Sequence, residues 1–185
     1  MGYLLTALGV ALWTGAHVFK RIAPARRAAM GDAGKGLVTG LLLLSILLMI
    51  FGYRWAPFDP VWQFGAWTYP ANNLLVLFAF YLYAASGAKT RITRTIRHPQ
   101  LTGFIIWAAA HLLVNGDAVS ILLFGGLLAW AVAEIVILNR AEPDWTPAHP
   151  VPVRKEITAA VAALVLFVVV YLIHGWIGPS PAGLG

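Results

Sequence analysis

Six nearly uncharged runs dictate what this chain can become. They lie at about 3–20, 37–53, 71–88, 99–115, 118–138 and 157–177, each 17 to 21 residues long, and the short segments between them carry most of the Lys and Arg. At about 1.5 Å of rise per residue, such a run crosses roughly 30 Å of hydrocarbon as a helix, the shortest only marginally. A backbone inside lipid must satisfy its own hydrogen bonds, and a helix does so within one segment. With 60% hydrophobic and 11% charged residues over 185 positions, and a mean hydropathy of +0.78, the chain is too apolar for a soluble domain. The expectation is an all-α integral membrane bundle of six transmembrane helices, forming a single domain over residues 1–185. The first run has no basic segment before it and no cleavage site after it, so it reads as a first span and not as a removable signal.

A net charge of +6 could suggest nucleic acid, but the cations are in short clusters between apolar runs and not along one polar face. Lys20, Arg21, Arg26, Arg27 and Lys35 fall in loop 20–36, Lys89, Arg91, Arg94 and Arg97 in loop 88–98, and Arg140, Arg154 and Lys155 in loop 139–156. That puts twelve of thirteen cations on alternate loops, with only Arg54 on the other side. The positive-inside rule then places both termini outside and the basic loops in the cytoplasm, with membrane lipids as partners and no nucleic acid.

The outward loop 54–70 combines Pro57, Pro60 and Pro70 with Trp55, Trp62 and Trp67. It is too broken for a helix and reads as an aromatic belt at the headgroups. Segment 23–35 reads as a short amphipathic surface helix touching lipid. Asn115-Gly116-Asp117 is a turn chemistry that tolerates left-handed backbone, predicting a tight hairpin between the fourth and fifth runs. Gly103, Ala108, Ala109 and Ala110, with Gly125 and Gly126, are small enough to let helices approach closely. Glu134 reads as an interfacial carboxylate, and loop 139–156, with four prolines, as an extended connection.

Chemistry rests on five histidines: His17, His98, His111, His149 and His174. The chain has no cysteine, which excludes disulfides, thiolate ligands and Fe–S clusters. Acidic residues are almost absent from the spans, which disfavours hard-cation and carboxylate di-iron sites. A b-type haem suits this ligand set best, because its macrocycle is soluble between apolar helices and its iron accepts neutral imidazole. His111, between AAA and LLV, is the first candidate, since ionisable groups in hydrocarbon mark function. The alternative for it is a neutral ring bonded to a nearby carbonyl. His149 lies in the proline-rich loop and is expected to be dispensable.

RHP at 97–99, AHLL at 110–113, NGD at 115–117, LLFGG at 122–126 and GAHVF at 15–19 together resemble the signature of the NnrU family of bacterial membrane proteins, associated with nitric oxide metabolism. Plant and cyanobacterial 15-cis-ζ-carotene isomerases are similar to that family. The resemblance implies a bacterial inner-membrane protein carrying haem b. It implies metal ligation by His17 and His111, with His98 and Arg97 as further cofactor-binding residues. It also implies a haem-dependent cis-trans isomerase of a polyene, or a haem protein that handles nitric oxide or passes electrons.

Depth within the runs argues for other pairings. His17 lies near the inner end of the first run and His111 near the outer end of the fourth, depths that differ by roughly 15 Å. By depth alone His17 pairs with His98, and His111 with His174. RHPQLTG at 97–103 also resembles the S-adenosylmethionine-binding helix of membrane methyltransferases, but the Tyr and the paired glutamates usual there are missing. His98 can equally cap a helix start, with Pro99 in the first turn where its missing donor costs nothing.

Overall fold

The computed structural model describes residues 1–147 and 151–183, and no side chain for residue 177; His149 and Pro150 lie outside the described residues. Among the described residues the fold is all helical, with seven α-helices: α1 (Gly2–Ile22), α2 (Pro24–Ala29), α3 (Gly31–Trp55), α4 (Thr68–Ala88), α5 (Pro99–Val114), α6 (Ala118–Ala141) and α7 (Val153–Ile177). Five of these, α1, α3, α4, α6 and α7, are long and apolar enough to cross a membrane. The sixth expected span is the shorter apolar helix α5, 16 residues long, which at about 1.5 Å per residue gives about 24 Å.

Helices reach farther into the basic loops than the apolar pattern suggests. Segment 23–35 is not one surface helix: α2 ends at Ala29, and Gly31, in the left-handed region at φ 52°, turns the chain into α3. Pro24 opens α2 at a position where a missing N–H is harmless. In the next basic loop Lys89 ends α4 at φ 53°, and a 3₁₀ turn at Arg91–Arg94 follows.

The described chain forms two compact units, one of residues 1–62 and 115–137, the other of 63–114 and from 138 onward. In the first, α1 packs antiparallel on α3 through small side chains. Gly2, Thr6 and Gly9 are buried on α1, and Ser45, Met49 and Gly52 on α3. A Cβ at Gly52 would sit 2.5 Å from the Thr6 nitrogen, and one at Gly9 would sit 2.9 Å from the Ser45 carbonyl oxygen, so the two backbones nearly touch. That is the packing expected where lipid offers no hydrophobic drive and close contact must hold helices together. Gly126 uses its lack of a side chain against α1, where a Cβ would stand 2.7 Å from Val10. Large apolar side chains point outward instead, Leu43, Leu47 and Ile50 on α3 among them.

Loop 56–62 is pinned to the NGD turn. The N–H groups of Val61 and Trp62 both donate to the Gly116 carbonyl at 2.7 and 2.9 Å, and Ala118 N–H donates to the Asp59 carbonyl at 2.9 Å. Neither Asn115 nor Gly116 adopts positive φ. Glycine is required at 116 for another reason: a Cβ there would lie 2.0 Å from the Trp62 carbonyl oxygen. Asp117 caps α6, accepting from Ser120 N–H at 3.0 Å and Ser120 Oγ at 2.6 Å, and Ser120 Oγ also meets the Tyr53 hydroxyl at 3.0 Å. A π-turn follows at Ile121–Gly125, over the LLFGG segment. Trp55 and Phe58, in the aromatic segment around 54–70, are exposed.

In the second unit α4 packs on α5 and on α7. Gly103 makes the α4–α5 approach possible, since a Cβ there would be 2.9 Å from the Ala79 carbonyl oxygen. Glu156 in the first turn of α7 accepts from the Tyr81 hydroxyl and, at 2.9 Å, from the Arg91 N–H. The basic loop after α4 is thereby fastened to both α4 and α7.

Candidate functional site

His17 belongs to the first unit. Its Nδ1–H donates to the Trp13 carbonyl at 3.0 Å, one turn back, because a carbonyl can only accept. Its ring is flanked by two indoles, with centroids 4.3 Å from Trp13 and 4.6 Å from Trp130. Arg21, one turn on from His17, faces Glu134 at 3.6 Å, one turn on from Trp130. Glu134 is only 6% exposed, so it does not reach out to an interface as the sequence suggested. Its partner cation, four residues past a histidine on another helix, could not be read from the local pattern. A buried carboxylate persists because Arg21 offsets part of its desolvation.

His98 and Arg97 join the start of α5 to the segment that ends α6. His98 Nε2 lies 2.9 Å from Asn139 Oδ1, and the Arg97 guanidinium donates to the Glu142 carbonyl. The His98 carbonyl accepts from Thr102 N–H and Thr102 Oγ1, each at 2.9 Å, inside the first turn of α5. RHP therefore acts here as a clasp that caps helix ends, with buried Pro99 in the first turn. The Nε2 of His98 is spent on that clasp.

His111 and His174 belong to the second unit and meet there, with ring centroids 6.3 Å apart. His111 Nδ1–H donates to the Trp107 carbonyl and His174 Nδ1–H to the Pro179 carbonyl, both at 2.9 Å. The carbonyl bond expected of a merely structural histidine is thus present at His111. It also fixes the tautomer that puts the lone pair of each neutral ring on Nε2, as in metal-ligating histidines. Trp107 stands 4.7 Å from the His111 ring. No three His, Cys, Asp or Glu side chains among the described residues group to hold a bare metal ion. Two neutral imidazoles are the set an iron already held by a macrocycle needs, so the residues present fit a b-type haem.

Long apolar helices, small-residue contacts and histidines held by backbone carbonyls define a multi-pass helical membrane protein. Its sequence matches the model of the family described as NnrU protein over residues 5–181, nearly the whole chain, and the chain belongs to the NnrU family. No curated protein and no solved structure matches it.

Proposed function

We propose that this is an integral membrane haem b protein whose iron is held on His111. The observation that carries the reading is the His111–His174 arrangement, with rings 6.3 Å apart and Nδ1–H on both spent on carbonyls. Two imidazoles sharing one metal through bonds of about 2 Å have ring centres roughly 6 Å apart. His174 would be the second residue to hold the group on this spacing, and His17 on the family resemblance. When bound, haem iron supplies a redox-dependent coordination site. The chain's own part is to fix the imidazole tautomers through the Trp107 and Pro179 carbonyls and to keep water away with apolar helices. The resemblance to carotene isomerases makes cis-trans isomerisation of a lipophilic polyene the proposed activity, with nitric oxide chemistry as the family alternative. Protein purified after expression with ample haem should show a Soret band and a reduced α-band typical of b-type haem. A colourless preparation overturns the proposal.

We also propose six crossings of a bacterial inner membrane, with α5 matched by local thinning of the bilayer and the basic loops inside. Reporter fusions in loops 20–36, 88–98 and 139–156 should all report cytoplasm, and a fusion at Gly185 the outside. An inward C-terminus would mean that one helix does not cross.

A further inference from the structure

The end of the second unit where His111 and His174 meet also contains a buried amide with an unmade bond. α4 and α5 are antiparallel, and Gly103 marks their register against Ala79 and Leu82. About two turns onward along α5 lies His111, and about two turns back along α4 lies Asn72, so the two residues share one level. Asn72 is on the buried stripe of α4 with Thr68, Val76 and Ala79, and it is only 8% exposed.

A chain of bonds sets which way its amide faces. Asn73 Nδ2 donates to the Pro181 carbonyl at 3.0 Å, which leaves Asn73 Oδ1 as an acceptor, and Asn72 Nδ2 donates to it at 3.3 Å. Asn72 Oδ1 is left buried with no hydrogen-bond partner. A buried acceptor left unmade carries its whole desolvation penalty, which a donor brought by a ligand would relieve.

We propose that Asn72 is a binding residue of this end of the second unit, its side-chain carbonyl accepting a hydrogen bond from the hydroxyl of a lipophilic alcohol. A site among lipid-embedded helices is reached through hydrocarbon, so the molecule that fills it is apolar along its length. A pure hydrocarbon would leave Asn72 Oδ1 unsatisfied; a terminal O–H satisfies it. This deepens the reading above, since it takes the His111–His174 end as the binding end.

The test uses the full chain in detergent with a pyrene-labelled long-chain alcohol and its methyl ether, which differ only in the O–H. Binding is read by energy transfer from tryptophan to pyrene. The alcohol should bind about tenfold tighter than the ether, a difference of about 1.4 kcal/mol, and Asn72→Leu should erase that preference. The same variant without ligand should melt no lower than the parent, because removing an unmade acceptor removes a penalty. Equal binding of the two probes, binding of neither, or a lowered melting temperature with the preference intact overturns the inference. Haem content is scored separately by the Soret band, so loss of one reading leaves the other standing.

Discussion

His111→Ala should abolish the haem spectrum of the purified protein, the largest single-residue effect expected on the cofactor. Both pairings, with His17 and with His174, share this residue. His111 is half-buried on α5, and its tautomer is already set by the Trp107 carbonyl. Alanine removes the ligand and, with it, the binding free energy that holds the macrocycle against dilution. His98→Ala should keep the spectrum, since His98 Nε2 is bonded to Asn139, and should instead cost about 1 kcal/mol of stability through the lost clasp. The remaining ligand is read from two further variants. Conversion to a five-coordinate spectrum in His174→Ala, with His17→Ala unchanged, assigns the pair to the ring spacing. The reverse assigns it to the family pattern and gives the Trp13 and Trp130 indoles the task of orienting His17. A full six-coordinate spectrum in His111→Ala would overturn the haem assignment to His111.

Where the sequence was legible, the signal was local. The apolar runs marked the helices to within a few residues at most ends, because in lipid the length of an uncharged stretch and the need for internal hydrogen bonds decide the element. Ends next to basic loops extended farther, through residues such as Gly31 to Lys35, because polar residues can continue a helix beyond the apolar run. Pairings across sequence were less legible. Depth along the spans brought His111 to His174, but nothing local announced Arg21 against Glu134, which lie 3.6 Å apart on different helices. NGD reads as a turn that uses left-handed backbone, but neither Asn115 nor Gly116 adopts it. Its glycine serves the approach of the Trp62 carbonyl, and its aspartate caps α6 through Ser120. Asn72 carried no signal at all, since an asparagine near a helix start is ordinary until its burial is known.

Gly52→Ala should separate α1 from α3 and lower stability by about 2 kcal/mol, while Gly40→Ala on the same helix should leave it unchanged or slightly raised. Both substitutions add one methyl to α3 and improve helix propensity, so any difference between them is packing. At Gly52 the methyl would meet the Thr6 nitrogen at 2.5 Å, Thr6 Oγ1 at 2.6 Å and the Gly2 carbonyl oxygen at 2.9 Å. Two of these are backbone atoms of a hydrogen-bonded helix and cannot turn aside as a side chain would, so α1 must move bodily. Thr6 Oγ1 is itself bonded to the Gly2 carbonyl at 3.0 Å inside that contact, which removes the remaining slack. At Gly40 nothing lies within 4 Å, and the methyl replaces lipid contact with lipid contact. Thermal melting of the two variants in one detergent measures the difference. Equal melting temperatures would mean that α1 and α3 do not approach at Gly52 as closely as their small residues allow.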